Sequence, residues 1–240
     1  VTSSGVVTTY AGSGTSGSTN GTGTSASFSS LSILSIDQNG NLYTSGSRKI
    51  DTSQVVTTIS GTGGADGIAI DPSGNIYASN SSGNIIRKYS PTGTLINTIG
   101  SGFPGSTDGT GTSASFNSPR AIVSDTSGNI YIAENGNFNI RKIDLSGSVT
   151  TLAGSGTSGS SDGTGTAASF SSTLFSYSLA IDNNNNLYVC DQSKLRKITS
   201  TGIVTSIAYL ISSSYTEGIA IDSTGNLYFT TGHAIRKVTF

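Results

Sequence analysis

Five short apolar runs interrupt an otherwise hydroxyl-rich chain, and each ends on an aspartate: Leu34–Asp37, Ile68–Asp71, Ile122–Asp125, Leu179–Asp182 and Ile219–Asp222. A small residue usually sits between larger ones, the pattern of a strand covered on both faces where several strands crowd one axis. The aspartate then opens a turn. Gly40, Gly74, Gly128 and Gly225 stand three residues later, and the fourth copy has Asn185, the residue that best tolerates positive φ after glycine. A second strand follows, opened by Leu42, Ile76, Ile130, Leu187 or Leu227 and then Tyr43, Tyr77, Tyr131, Tyr188 or Tyr228. A third strand carries an Arg-Lys pair: Arg48/Lys49, Arg87/Lys88, Arg141/Lys142, Arg196/Lys197 and Arg236/Lys237. The fourth is rich in β-branched residues, as in Val56–Ile59 and Val149–Leu152. Four antiparallel strands repeated five times predict an all-β, five-bladed β-propeller, because so small a sheet cannot bury its faces without neighbours.

The two ends of the chain complement one another. Val1–Thr8 aligns with Ile198–Thr205, the passage from a third strand into a fourth, whereas the last residue, Phe240, lies just past a third strand. The N-terminal strand Val6–Tyr10 is therefore expected to pair with Ala234–Phe240 and close the last blade, making residues 1–240 a single propeller domain.

In Gly67–Tyr77, Gly218–Tyr228, Gly128–Ala133 and Ile140–Ile143 the chain resembles NHL-repeat β-propellers, whose repeats run roughly as Gly-Ile-Ala-Val-Asp, Gly-Asn-(Leu/Ile)-Tyr-Val-Ala-Asp and Ile-Arg-Lys-Ile. The likeness extends over essentially the whole chain and implies the propeller fold. It implies no single activity, since the family and its relatives use the scaffold for protein binding, RNA binding and lyase or lactonase chemistry.

Charge narrows the choice. Ten of the 12 basic residues are the five Arg-Lys pairs, leaving Arg120 and Lys194, and the net charge is −1, so no basic patch stands out for a nucleic acid. No run of 18 apolar residues suggests a membrane span. The single cysteine, Cys190, excludes an intrachain disulfide and reads as a buried thiol. With only 10% charged residues and a surface dominated by Ser, Thr and Asn, the expected location is secreted or at the cell surface.

Candidate chemistry falls on two sets of loops. Gly12–Phe28, Gly100–Phe116 and Gly154–Phe170 are long, nearly identical and rich in Gly, Ser and Thr, with Asn20, Asp108 or Asp162 at a fixed place in each. The loops between second and third strands carry Asn80, Glu134, Asn135, Phe138, Asp191 and His233, and Arg120 and Glu217 are placed near the same rim. Together Asn80, Asp108, Arg120, Glu134, Asn135, Phe138, Asp162, Asp191, Glu217 and His233 are the candidate binding residues. One carboxylate per loop falls far short of a calcium site, and a lone histidine does not make a multi-histidine zinc centre, so no metal, cofactor or catalytic residue is expected. The expected function is a non-catalytic binding module, monomeric, for a protein or glycan partner. Two alternatives stay open: a self-assembling subunit closed by strand exchange, and a metal-dependent lactonase- or lyase-like enzyme using Glu134, Asp191 and Glu217.

Overall fold

A computed structural model describes residues 6–171, 179–192, 194–209, 218–231 and 234–239. Five antiparallel sheets form the blades of a β-propeller. Blade 1 comprises Leu34–Ile36, Leu42–Thr44, Arg48–Ile50 and Val55–Thr58, and blade 2 Gly67–Ile70, Ile76–Asn80, Ile85–Tyr89 and Leu95–Ile99. Blade 3 comprises Pro119–Ser124, Ile130–Glu134, Asn139–Ile143 and Ser148–Ala153, and blade 4 Ala180–Ile181, Leu187–Asp191, Lys194–Ile198 and Ile203–Tyr209. Blade 5 has Ile219–Ile221, Leu227–Thr231 and Ala234–Val238. Innermost strands pack one on the next from blade 1 to blade 5. The approach is close: a Cβ on Gly67 would run into the Arg120 carbonyl of the following blade, which is why glycine stands there. Among the described residues no helix is long and apolar enough to cross a membrane.

The repeated turn is a self-contained hydrogen-bonded unit. Asp125 Oδ1 accepts from the backbone N–H of Ser127 (2.9 Å) and Asn129 (2.8 Å), while its Oδ2 accepts from the Asn129 amide (2.7 Å) and the Tyr131 hydroxyl (3.1 Å). Asp37, Asp182 and Asp222 repeat this set. At Asn185 φ is 60°, the left-handed conformation that its place in the turn requires. The lysine of each Arg-Lys pair then covers the tyrosine ring of its own blade, at 5.0 Å for Lys88 over Tyr77 and 5.9 Å for Lys142 over Tyr131.

Apolar burial lies in the wedges between blades. Ile86 and Ile99 of blade 2 meet Ile130, Ile132 and Val149 of blade 3 around Phe116, and Ile140 and Ala153 of blade 3 meet Leu187, Val189 and Val204 of blade 4 around Phe170. Both wedges hold side chains from two blades and from the loop that joins them, so blades 2, 3 and 4 complete their cores together.

The expected closing strand is corrected here. Val6–Tyr10 has no strand conformation, and among the described residues Ala234–Val238 forms a ladder with Leu227–Thr231 alone. At the end of the segment the Tyr10 hydroxyl reaches the Asp51 carbonyl at 3.4 Å, and Ala11 packs on the cluster of Ala26, Ile50 and Val56 in blade 1. Val1–Gly5 and Phe240 lie outside the described residues.

Candidate functional site

The three long loops have one architecture. In each, a serine near the end accepts a hydrogen bond from a backbone N–H eight residues earlier: Ser27 from Thr19 (2.9 Å), Ser115 from Thr107 (2.9 Å) and Ser169 from Ser161 (3.0 Å). The loop then lays a Gly-Thr dipeptide along the outer strand of the next blade, Gly21–Thr22 on blade 1, Gly109–Thr110 on blade 3 and Gly163–Thr164 on blade 4. Those three blades become five-stranded, and their outer edges are covered.

What holds the loop is the arginine of the Arg-Lys pair. Arg141 donates from Nη1 to the Ser115 carbonyl (3.0 Å) and from Nη2 to the Thr107 carbonyl (3.0 Å) and Asp108 Oδ1 (2.8 Å). Its guanidinium carbon stands 5.4 Å from the centre of the Phe116 ring. Arg196 does the same with the Ser169 and Ser161 carbonyls, Asp162 and Phe170. Arg48 uses the Ser27 and Thr19 carbonyls, Asn20 and Phe28. A planar donor fork fits this role because it reaches two carbonyls and a side-chain oxygen at once. Arg141 and Arg196 are fully buried, so each also needs a counter-charge inside the blade. Glu134 Oε1 supplies it at 3.1 Å and Asp191 Oδ2 at 2.6 Å. Asn137 donates to Glu134 and to the Gly105 carbonyl, tying the second-to-third-strand loop to the long loop. Burial pushes the Glu134 carboxyl up to about 7, against the lowering pull of Arg141 and Asn137.

The candidate residues are thus scattered among several tasks. Asp108, Asp162, Glu134 and Asp191 all engage a buried arginine, and Glu134 and Asp191 belong to different blades, each with its own guanidinium. Asn80 accepts from the Gly83 N–H and the Ser82 hydroxyl within its turn. The Asn135 N–H donates to Ser118 O (3.1 Å), and Phe138, at φ 51°, closes the same turn onto Glu134 O (3.1 Å). Arg120 lies on the inner strand of blade 3, its carbonyl accepting from the Ser79 hydroxyl at 2.6 Å. Glu217 and His233 fall outside the described residues. Among the described residues no three His, Cys, Asp or Glu side chains gather as metal ligands would.

Along the axis and on the loop face, two surfaces are open to a ligand. The central channel, about 410 Å³, is walled by Ile68, Ile122, Val123, Leu179 and Ile219, with Ser32, Ser35, Tyr228 and Thr230 as its polar groups. The other is the set of loop tips. Ser13–Ser16, Ser101–Pro104 and Ser155–Ser158 stand exposed above the pinned loop bases, and Phe103 is 77% exposed. Phe103 was not among the sequence candidates. Its signal was there in the loop alignment, which sets Phe103 against Thr15 and Thr157.

No family model and no curated protein sequence matches the chain. Solved structures do. Virginiamycin B lyase from Staphylococcus aureus is similar with a TM-score of 0.60 and 14% identity over 87% of this chain and 66% of that one. An auxiliary nutrient binding protein from Bacteroides ovatus gives 0.65 and 20% over 92% and 60%. A gluconolactonase from Xanthomonas campestris gives 0.59 and 12% over 83% and 68%. At these identities the likeness shows the fold, a β-propeller. The chain spans slightly under two thirds of the lyase's length. The expectation that the chain is no enzyme does not stand, since a lyase and a lactonase are among the structures it resembles.

Proposed function

We propose that this propeller, one domain of NHL-type repeats, is a monomeric binding module that works outside the cell. Its loop tips meet a glycan or protein partner, with Phe103 as the aromatic platform. The observation that carries the reading is the contrast within each long loop, whose base is fixed by a buried arginine while its tip exposes hydroxyls. A fixed base lowers the entropy lost when a ligand orders the tip, and hydroxyls beside an exposed ring suit the alternating polar and apolar faces of a sugar. The nutrient-binding protein among the similar structures supports the same reading.

The test is a screen of immobilised glycans and of extracellular proteins, read both for retention and for a mass change in the retained probe. Retention that Phe103→Ala lowers about tenfold and Phe103→Trp preserves is the expected result. Binding that ignores both substitutions, or no retention across the screen, overturns it.

A further inference from the structure

Blade 2 keeps the receiving half of the pinned-loop arrangement without the loop. In blades 1, 3 and 4 the loop is received by the third-strand arginine and by the hydroxyl of Thr58, Thr151 or Ser206, which meets Asn20, Asp108 or Asp162. Beneath lie Val56, Val149 and Val204, at most 1% exposed and packed with Ala26, Phe116 and Ala168 of the loops. Blade 2 has comparable groups across from its arginine, although its bulge lies at Ile96 where that of blade 3 lies at Leu152. Thr98 lies across from Arg87 as Thr151 lies across from Arg141. Leu95 takes the place of Val149, and Ile96 is the extra residue of a bulge; they are 52% and 54% exposed. The short segment before blade 2 is fastened at Tyr89, whose hydroxyl donates to the Gly61 carbonyl at 2.6 Å, and brings no carboxylate to Arg87. Where blades 3 and 4 have Glu134 and Asp191, blade 2 has Asn80, already engaged in its own turn. Among the described residues the Arg87 side chain is partly buried, and its guanidinium makes neither hydrogen bond nor ion pair.

We propose that the outer edge of blade 2 is an acceptor site for an extended Asp-Gly-Thr-Gly segment of another polypeptide. The aspartate bridges the Arg87 guanidinium and the Thr98 hydroxyl, as Asp108 bridges Arg141 and Thr151. The small residues that follow lie over Leu95 and Ile96 and remove them from water. An acid answers the uncompensated cation, and glycines let a backbone approach an edge strand that a bulkier chain would not reach. The bulge at Ile96 shifts the ladder beyond it, so recognition centres on the Arg87–Thr98 end. This inference concerns a different surface from the loop tips and does not depend on them.

The probe is a synthetic peptide of the sequence Gly105–Phe116, titrated into the isotope-labelled protein and followed by NMR. Saturable shifts confined to the amides of residues 94–98 and to the Arg87 side chain are expected. Arg87→Ala, or Thr98→Val should the arginine variant not fold, weakens binding about tenfold, and so does alanine for the peptide's aspartate. The proposal is overturned if a scrambled peptide binds equally well or if no saturable shift reaches blade 2. Shifts on Ser148–Thr151 or Ile203–Ser206 instead would also overturn it, because they mean that the peptide merely displaces the native loops.

Discussion

Blades 2 and 3 carry the same third-strand signature, yet Arg141 is fully buried between two carboxylates while Arg87 stands partly exposed beside none. The difference is the loop that arrives from the preceding blade. Gly100–Phe116 covers Arg141, buries Val149 and supplies Asp108, whereas the segment entering blade 2 contacts Tyr89 and leaves Leu95 and Ile96 in water. A residue repeated five times therefore does not have one job. The same guanidinium is a structural pin where a loop supplies acceptors and an open cation where none does.

The largest break in that comparison comes from removing the pins one at a time. Arg141→Ala strands the buried Glu134 and frees the loop, so denaturant titration should show a loss of about 3–5 kcal/mol. Arg87→Ala breaks no ion pair and strands no buried charge, so it should stay within about 0.5 kcal/mol. Equal losses would show that the loops do not distinguish these blades.

Titration gives the next effect. The Glu134 carboxyl is pushed up to about 7 from an ordinary 4.5, so the folded chain holds its proton more tightly than the unfolded one. Its contribution to stability is thus fullest below pH 4.5, declines as pH rises toward 7 and levels off above, with a slope of at most about 1.4 kcal/mol per pH unit. Glu134→Gln should flatten that limb. The turn aspartates act in the opposite sense. Burial would raise Asp37 and Asp182, but hydrogen bonds from Asn41 and Tyr43 and from Asn186 and Tyr188 hold both below the ordinary value of 3.8, so their contribution is lost as pH falls below it. That acid limb should survive Glu134→Gln unchanged.

Asp162→Ala probes the exposed half of a pin. Its carboxylate is 48% exposed, so solvent screening limits the loss to about 0.5–1 kcal/mol. Faster amide exchange in residues 154–170, with blade 2 unaltered, is the sharper readout. The smallest change is Asn185→Gly, which relieves a positive φ but loosens the unfolded chain. A shift of a few tenths of a kcal/mol in either direction is expected, against a larger loss for Asn185→Ala.

Much of the blade was legible because its chemistry is local. Asp125, Gly128, Asn129 and Tyr131 complete their hydrogen bonds within seven residues, so spacing alone predicts the turn, and Asn185 could be recognised as its left-handed variant. The loops were legible as repeats but not as structures. Asp108 and Glu134 were read as groups for a ligand, and it took the fold to show that 33 and 7 residues separate each from the arginine that engages it. The closing strand was over-read for a related reason: Val6–Tyr10 has the composition of an outer strand but no strand conformation, because composition does not supply the neighbour a strand must pair with.

Five aspartate turns, their strands and the propeller they build were determined by the sequence itself, through contacts spanning a handful of residues whose geometry any copy must repeat. Which arginines are buried, which acids they consume and which outer strands a loop covers were decided only in three dimensions. Those outcomes depend on whether a loop from one blade reaches the next, and a guanidinium takes its role from whatever oxygens the folded neighbours bring to it.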